Sequence, residues 1–501
     1  MTKKFNPLQF LSFTGPYKVL HMTWFAFFLT FMAWFNMAPL AEAMRDDLGL
    51  TESNLKVLMI CNVALTIPAR IIIGMLLDKF GPRKVFSGLL IVMSVPTLVF
   101  ALSSSFTQLV ITRLLLGVVG AGFVIGIRMV AEWFPLKDVG EAEGIYGGFG
   151  NFGSAASAFL LPIIAVSVFG GEDGWRWAIG LTGMTCFIYG FIYYANVTDT
   201  PPGKTYQRPK RTSAMEVTSK ASLYGLILMQ IPMLLALATL AWKLNDVEFL
   251  TDSATSIVYA ILGAIFVLQV YKAWSVNMPN IKRGYAENDK YEFRQVAILD
   301  LAYFVTFGSE LAVVSMLPLF FMSTFDLSLQ HAGMIGASFA FMNLLARPTG
   351  GFLSDRLGSR RKTLVFLLGG LSVGYYLLSS ITPEWPIALA VASTMFCSFF
   401  VQAGEGAVFA MVPLVKKRVT GQIAGMVGAY GNVGAVVFLT VFSFVGPETF
   451  FLTIGGCAVV CLIAALFLKE PKGSFAEAHH DEVSESDSSS TSSDSKLAGA
   501  H

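Results

Sequence analysis

Two stretches of this chain carry the same pattern of residues. Residues 70–83 read RIIIGMLLDKFGPR, and residues 347–360 read RPTGGFLSDRLGSR. Each stretch begins with an arginine, and glycine, aspartate, glycine and arginine follow at identical spacing, 277 positions apart. A second pair agrees with the first: residues 144–153 (GIYGGFGNFG) match residues 425–434 (GMVGAYGNVG) at an offset of 281. Two independent blocks at nearly equal offset indicate an internal duplication.

The composition places this duplication in a membrane. Of the 501 residues, 54% are hydrophobic and only 14% are charged. Soluble domains carry roughly 25% charged residues, because their surfaces face water. The net charge of +2 also argues against a protein that binds nucleic acid through a broad basic face. The sequence therefore predicts an all-α, polytopic membrane protein.

Apolar runs of the length of a membrane span occur fourteen times. A spanning helix needs about 20 mostly apolar residues. The first run covers about 19 residues, which exceeds the roughly 7–15 of a signal peptide, so we interpret it as a retained helix. Six runs precede a central pair and six follow it: 22–42, 57–77, 85–103, 109–131, 144–169 and 178–195; 221–242 and 254–275; 300–322, 332–353, 364–381, 387–415, 423–445 and 449–468.

The charges between the runs predict the orientation. If all fourteen runs span, every basic cluster falls on one side, and this places both termini in the cytoplasm. We divide the chain into an N-terminal six-helix bundle (1–195), linkers with two extra helices (196–294), a C-terminal six-helix bundle (295–469) and a disordered cytoplasmic tail (470–501). Parallel six-helix repeats are typical of the major facilitator architecture, in which the substrate site lies between the halves near the midplane.

The arginine that opens each repeat lies deep in the membrane. Arg70 and Arg347 each precede the aspartate of their block by eight residues, or about 12 Å along a helix. The apolar half-thickness is about 15 Å, so both side chains start near the midplane. A charge there costs at least about 2.5–3.5 kcal/mol on insertion scales, and such residues usually line a pathway. Snorkelling to the interface is the alternative, but it would have to occur at both equivalent positions.

Two buried arginines that face one cavity are suited to an anion. The guanidinium fork is planar and donates paired hydrogen bonds, which match a planar oxyanion. Asn151 and Asn432 place one amide in each half among glycines that allow close helix packing. These amides either contact the substrate or join neighbouring helices, and the sequence leaves both roles open.

These features resemble the nitrate/nitrite porter family of the major facilitator superfamily. The resemblance rests on both glycine–asparagine blocks, on the paired arginines, on residues 34–40 (WFNMAPL) and on residues 303–311 (YFVTFGSEL). The first of the latter two stretches is closest to the proton-coupled nitrate branch. The resemblance covers roughly 20–195 and 295–468, and the two central runs depart from the usual twelve-helix pattern. We expect the central pair to pack against the outside of the bundle, with a partner-docking role as the alternative.

The resemblance implies a nitrate site with a defined set of residues. Arg70 and Arg347 would bind the ion, Tyr303 would hydrogen-bond it, and the two asparagines would line the cavity. An aromatic ring from the first helix, Phe35, would stack on the flat anion. Nitrate or nitrite is then the substrate, and no metal or cofactor is implied.

The aspartates and arginines at the ends of the two repeats resemble the loop motif of the same superfamily. In it, the aspartate and arginine pair and cap helix ends, which latches one state of the gate. The resemblance implies a role in gating and folding for Asp78, Arg83, Asp355 and Arg360, with a purely structural helix cap as the alternative. It assigns them no contact with substrate.

Two deep acids could balance the arginines. An uncompensated buried charge is expensive, so a counter-charge is expected. Glu310 follows Tyr303 by seven residues, about two helical turns, and Glu405 is the other deep acid. We expect Glu310 to take part in proton-coupled nitrate import; the rival reading gives Glu310 only a static role. Glu132 follows Arg128 by four residues, and a helical ion pair explains it.

Three functions compete at this stage. The first is a secondary transporter of nitrate, of nitrite or of both, working by proton symport or by nitrate/nitrite exchange in a bacterial inner membrane. The second is a non-transporting nitrate sensor, which would not need the two gate motifs present here. The third is a membrane enzyme, for which the sequence offers no catalytic set: the five cysteines lie within apolar runs, none in a CxxC pair and none near a histidine at metal-ligand spacing. The sequence favours transport and indicates no protein partner.

Overall fold

The fold is built from helices that run back and forth through one bundle. The computed structural model describes residues 11–135, 138–171, 173–206, 214–416 and 419–471. The predicted disordered tail lies outside the described residues from position 472 onward. The same holds for part of the charged loops: Glu172, Arg208, Lys210, Arg211, Lys417 and Arg418.

Thirteen helical segments of the described residues are long and apolar enough to cross a membrane. The fourteenth predicted run, 332–353, is helical as well, but it consists of two consecutive helices, and the second of them, which contains Asn343, Arg347 and Asp355, is less apolar. We label the helices in chain order as α1 (Gly15–Leu48), α2 (Glu52–Phe80), α3 (Pro82–Ala101), α4 (Phe106–Trp133), α5 (Val139–Phe169), α6 (Gly174–Asn196), α7 (Lys220–Asp246), α8 (Asp252–Arg283), α9 (Phe293–Phe325), α10 (Leu329–Phe341 and Asn343–Arg356), α11 (Arg360–Ser379), α12 (Ile387–Val415), α13 (Thr420–Phe442) and α14 (Pro447–Ala465).

The helices that carry the two arginines are interrupted at equivalent places. Helix α2 breaks at Leu65 and helix α10 at Met342, in each case five residues before the arginine. Pro68 explains the first break, because proline has no N–H to donate to the carbonyl of the preceding turn. The duplication therefore extends to the local shape of the backbone.

Glycines set the spacing between neighbouring helices in each half. A Cβ on Gly153 of α5 would collide with the backbone of Phe28 in α1, and a Cβ on Gly434 of α13 would collide with the backbone of Phe304 in α9. The close helix approach expected from the glycine blocks is thus present at corresponding positions of both halves.

Two helix pairs join the halves across the middle of the molecule. Helix α2 packs on α13, where a Cβ on Gly74 would lie 3.1 Å from the carbonyl oxygen of Gly421. Helix α5 packs on α10, where a Cβ on Gly144 would lie 2.8 Å from Cα of Pro348. The arginine-bearing helices α2 and α10 are therefore each held against the glycine-rich helix of the opposite half.

The two extra helices lie at the periphery. Helix α7 contacts α13 and α2, and the Tyr430 hydroxyl of α13 donates to the carbonyl oxygen of Met229 at 2.8 Å. Helix α8 packs on α7 and buries few residues, among them Asn277, which accepts a hydrogen bond from the Val217 amide. This is the packing against the outside of the bundle that we expected for the central pair.

Candidate anion-binding site

Arg70 is fully buried and is held by backbone oxygens. Its Nε donates to the carbonyl of Gly120 in α4 at 3.2 Å, and its Nη1 donates to the carbonyl of Gly428 in α13 at 2.6 Å. Residues 117–121 form a short 3-10 turn within α4, which leaves carbonyls available to side chains. The remaining nitrogen, Nη2, has no hydrogen-bond partner among the residues described. Arg70 thus keeps its charge and one donor for a further ligand.

Arg347 is equally buried but has a carboxylate partner. Its Nη1 forms an ion pair with Oε2 of Glu405 in α12, and its Nη2 donates to the Tyr303 hydroxyl at 3.1 Å. The other oxygen of Glu405, Oε1, lacks a hydrogen-bond partner within the described part of the chain. The two arginines therefore differ: one is held by neutral carbonyls, the other by an anion.

Tyr303 lies between the two guanidinium groups. It is buried in α9 and interacts electrostatically with both Arg70 and Arg347. A phenol can donate to an anion and accept from a guanidinium at the same time. The sequence prediction placed this tyrosine with the arginines, and the structure brings the three residues together.

Aromatic faces cover the guanidinium groups. The centroid of Phe123 lies 5.5 Å from Cζ of Arg70 and 4.9 Å from Cζ of Arg347, and the centroid of Phe307 lies 4.7 Å from Cζ of Arg70. The two rings stack with 6.3 Å between centroids and 16° between planes. Phe123 therefore joins the two arginines, which belong to different halves of the chain.

Phe35, the ring expected to stack on the anion, makes the ring contacts that the described residues show with its own helix. It is buried beside Phe31 and Trp34, with centroids 5.6 Å and 5.2 Å away. Helix α1 ends its regular turns at Trp34, so Phe35 lies at the helix end and packs against its own helix. The residues whose rings contact the guanidinium groups are Phe123 and Phe307.

Glu310 is held by two amides. Asn343 donates to its Oε1 at 2.6 Å, and Asn151 reaches its Oε2 at 3.4 Å. Glu310 also interacts electrostatically with Arg347 and Glu405. The two deep acids of the sequence thus meet beside the second arginine, and Asn151 contacts one of them directly.

Asn432, the counterpart of Asn151, makes a different contact. Its Nδ2 donates to the carbonyl of Gly428, one turn earlier in its own helix, at 3.1 Å. Gly428 is also the acceptor for Arg70. The Oδ1 atom of each asparagine lacks a hydrogen-bond partner among the described residues. Asn432 therefore lies beside Arg70, whereas Asn151 lies beside Glu310, the acid near Arg347.

The glycines of the repeats also make room for the arginines. A Cβ on Gly147 of α5 would collide with Nε of Arg347, and a Cβ on Gly428 of α13 would lie 3.0 Å from Nη1 of Arg70. Each arginine thus packs across the middle of the molecule against the glycine helix of the other half. The sequence analysis gave these glycines a role in helix packing only.

The loop-motif aspartates dock on the opposite half. Asp355 accepts a hydrogen bond from the backbone amide of Glu141, at the start of α5, at 2.9 Å and forms an ion pair with Arg360. Asp78 lies against Gly421 at the start of α13, where a Cβ would come within 2.5 Å of its Oδ1. Carboxylates at helix N-termini are favourable, because they face unpaired N–H groups and the positive end of the helix dipole.

The expected pairing of Asp78 with Arg83 is wrong in this structure. Arg83 begins α3 and points towards the end of α6, where its Nε donates to the carbonyl of Tyr194 at 2.8 Å. Its backbone amide donates to Asp199 at 2.7 Å. The corresponding pair in the second half, Asp355 with Arg360, forms as expected.

Glu132 and Arg128 form the helical ion pair that their spacing predicts. Nη2 of Arg128 lies 2.6 Å from Oε1 of Glu132. This acid is therefore engaged locally and is separate from the cluster around Arg347.

The cluster has the chemistry of an anion site. Two guanidinium groups and a phenol face the ring of Phe123 and are buried, and electrostatic contacts of buried groups are stronger than in water. Sequence reasoning missed Asn343, Phe123 and Phe307. Asn343 lies one turn before Arg347, and Phe307 lies one turn after Tyr303. Both could have been predicted, because residues four apart on a helix lie on the same face as the candidates already chosen. Phe123 had no such signal, because it comes from another helix.

Comparison with known proteins agrees with this architecture. The Major Facilitator Superfamily profile matches residues 23–285 and 299–491. The nitrate/nitrite transporter NrtP of Picosynechococcus sp. is 53% identical over 94% of this chain and 96% of its own length. The protein of the same name from Nostoc punctiforme is 50% identical over 95% and 97%. Among solved structures, the proton:xylose symporter XylE superposes with a TM-score of 0.60 at 14% identity, covering 91% of this chain and 97% of that one, which supports the fold.

The described helices, the duplicated arginine and glycine blocks and these relatives agree with one another. The match extends over almost the full length of both relatives, so it includes both halves and the central helices. The chain is an integral membrane protein and belongs to the nitrate/nitrite porter family of the major facilitator superfamily.

Proposed function

We propose that the chain is a secondary active transporter that imports nitrate, and also nitrite, by alternating access. The observation that supports this most strongly is the pair Arg70 and Arg347, buried together with Tyr303 under the faces of Phe123 and Phe307. A flat, singly charged ion of this size can accept hydrogen bonds in its plane while an aromatic ring covers its face. Tetrahedral sulfate or phosphate would bring more charge and a shape that does not lie between flat groups.

The two halves supply one arginine each, so the site changes shape when the halves move. Asp78 and Asp355 hold the ends of α2 and α10 against the helix starts of the opposite half. Release of these contacts would let the halves, residues 1–195 and 295–469, rock about the site. In this proposal Asn151 and Asn432 line the cavity beside the arginines. The basic loops put both termini in the cytoplasm, and the protein works in the cell membrane.

We also propose that import is coupled to protons and that Glu310 takes part. The support is the contact between Glu310 and Glu405 next to Arg347. Two carboxylates in contact are unfavourable when both are ionised, and binding of one proton relieves this. The buried pair therefore offers a place for a proton close to the anion.

The experiment is nitrate uptake into proteoliposomes. Uptake driven by an inward proton gradient alone is the expected result and establishes symport. Uptake that requires nitrite trapped inside would make the protein an exchanger and leave Glu310 as a structural counter-charge. Transport in neither condition, with nitrate binding retained, would favour a sensor.

A further inference from the structure

We infer that nitrate and the carboxylate of Glu405 compete for Arg347, and that a proton taken up by Glu405 is what frees this arginine for nitrate. The inference deepens the proposed function and rests on it. It assigns the step that links the proton to the substrate to Glu405, for which the sequence indicated only a position deep in the membrane.

The first argument is the occupation of donors. Nη1 of Arg347 is engaged by Glu405, and Nη2 donates to Tyr303. Arg70, in contrast, retains Nη2 without a partner in the described chain. An anion held by both arginines can take the free donor of Arg70 directly, but on Arg347 it must replace an existing partner.

The second argument is that Glu405 is the only one of the two acids with an oxygen to spare. Both oxygens of Glu310 receive amide donors, from Asn343 and from Asn151. Glu405 has the ion pair on Oε2, while Oε1 receives no hydrogen bond from an N–H or hydroxyl donor of the described residues, and the carboxyl group lies in contact with that of Glu310. Both oxygens of Glu310 are thus already engaged by amides, whereas the one ion-pair partner of Glu405 in the described part of the chain is Arg347.

The third argument is charge balance. With Glu310 and Glu405 ionised and Glu143, the third buried acid that interacts with Arg347, protonated, the two arginines and the acids sum to zero in a fully buried cluster. Nitrate would leave this cluster with an uncompensated negative charge, which is costly at this depth. One proton on Glu405 restores neutrality and at the same time breaks the ion pair that blocks Arg347.

The groups that surround Glu405 are consistent with this role. Arg347 is the direct partner and Glu310 is the adjacent like charge. Two tyrosines and Arg70 complete the surroundings. The titratable and charged groups that interact with it, by helix, are Arg70 of α2, Tyr303 and Glu310 of α9, Arg347 of α10 and Tyr375 of α11. Once the ion pair with Arg347 is broken, the remaining acid contact, Glu310, favours the protonated form.

Linkage gives the sign of the pH dependence. If protonation frees Arg347 for nitrate, then nitrate binding must favour proton uptake by the same factor. Nitrate affinity therefore falls as pH rises through the range in which Glu405 loses its proton. In that range the dissociation constant grows by about tenfold per pH unit when one proton is linked.

Titration calorimetry of the purified full-length protein with sodium nitrate tests this, in buffers with different ionisation enthalpies. We expect wild-type protein to take up about one proton per nitrate at the pH where Glu405 is ionised. In Glu405→Gln, we expect no proton uptake and a dissociation constant that does not change with pH. In Glu405→Asp, which keeps a titratable group on a shorter side chain, we expect proton uptake with a shifted pH profile.

The outcomes separate this inference from the proposed function. Absence of nitrate binding to wild-type protein at any pH would contradict the proposed function itself. Nitrate binding without proton uptake, or proton uptake that persists in Glu405→Gln, would overturn only the role of Glu405. If Glu405→Gln does not fold, an unchanged pH profile in Glu405→Asp would overturn it as well.

Discussion

Arg70 donates from Nη1 to the carbonyl oxygen of Gly428 at 2.6 Å, although 358 residues separate the two in the chain. The corresponding contact in the other half places Arg347 against Gly147. Arg70 and Arg347 are 277 positions apart, and Gly147 and Gly428 are 281 positions apart. The offsets of the two duplicated blocks therefore also relate these two contacts between the halves. Because each arginine is fixed by the opposite half, its position reports how the halves are arranged.

We expect Gly147→Ala to weaken nitrate binding more than Gly428→Ala does. A Cβ at position 147 collides with Nε of Arg347, in the middle of a side chain fixed by Glu405 and Tyr303. At position 428 the new methyl lies 3.0 Å from Nη1 of Arg70, and a small shift relieves it. Overpacking of a buried site costs about 1–3 kcal/mol, or about 5- to 100-fold in affinity.

Titration calorimetry of both variants measures this difference. Gly88→Ala is the matched control, because nothing lies within 4 Å of a Cβ at that position of α3. Equal affinities for the two site variants would mean that the glycines serve helix packing alone.

We expect Arg70→Lys to lower nitrate affinity by about 10- to 100-fold. A lysine keeps the charge but has one nitrogen in place of the fork, so it cannot bond to Gly120, Gly428 and an anion together. Loss of one hydrogen bond to a charged group is worth about 1.5–3 kcal/mol. Arg294→Lys, at a largely exposed side chain, is the control. A variant that binds nitrate as tightly as the wild type would show that charge alone suffices at this position.

The duplicated blocks made much of this predictable from the sequence. Both arginines, Tyr303 and the membrane runs followed from the depth of charges, from spacing and from a family resemblance. The different partners of Asp78 and Asp355 could not be predicted. Arg83 donates to the carbonyl of Tyr194, whereas Arg360 pairs with Asp355. Equivalent sequences in the two halves meet different neighbours there, and the repeat alone does not specify those neighbours.

The aromatic neighbour of the anion shows a second limit. Phe35 was inferred from a stretch on the first helix, and the described rings beside it are Phe31 and Trp34 of the same helix. Phe123 instead reaches both arginines from α4. Which ring covers a guanidinium group depends on how helices distant in sequence pack together, and local sequence patterns do not specify this packing.

We expect Phe307→Leu to raise the KM for nitrate uptake by about 2- to 30-fold, and more than Phe35→Leu does. Phe307 covers the Arg70 guanidinium at 4.7 Å, and a desolvated cation–π contact is worth about 0.5–2 kcal/mol. Both changes replace a buried ring with the same aliphatic side chain, so their difference isolates the contact with arginine. Initial rates in proteoliposomes measure it, and a larger effect at position 35 would return the stacking role to the first helix.

We expect Asp355→Asn to loosen the contact between the halves at the ends of α5 and α10. Asparagine cannot form the ion pair with Arg360, and it is a weaker acceptor for the Glu141 amide. A helix cap of this kind is worth about 0.5–2 kcal/mol, which raises the open population by about 2- to 30-fold.

The readout is the labelling rate of a cysteine introduced at the buried Ser354, in protein whose five native cysteines are replaced. Asp246→Asn, at a half-exposed residue next to Lys243, serves as the control for a lost surface charge. Unchanged labelling in Asp355→Asn would remove this aspartate from the gate.

We expect Glu310→Gln to lose uptake driven by a proton gradient while it retains exchange of nitrate for nitrate. The neutral side chain still accepts a hydrogen bond from Asn343, so the cluster stays assembled, but Glu405 loses its like-charged neighbour. Glu405 then stays ionised and paired with Arg347 over a wider pH range, which weakens the link between proton and anion. The measurement compares gradient-driven uptake with counterflow at one acidic pH on both sides, where Glu405 is protonated and Arg347 is open to nitrate, using the same proteoliposomes. Since a purely structural defect would lower both activities together, their separation identifies coupling; full gradient-driven uptake in the variant would end the role of Glu310 in proton transfer.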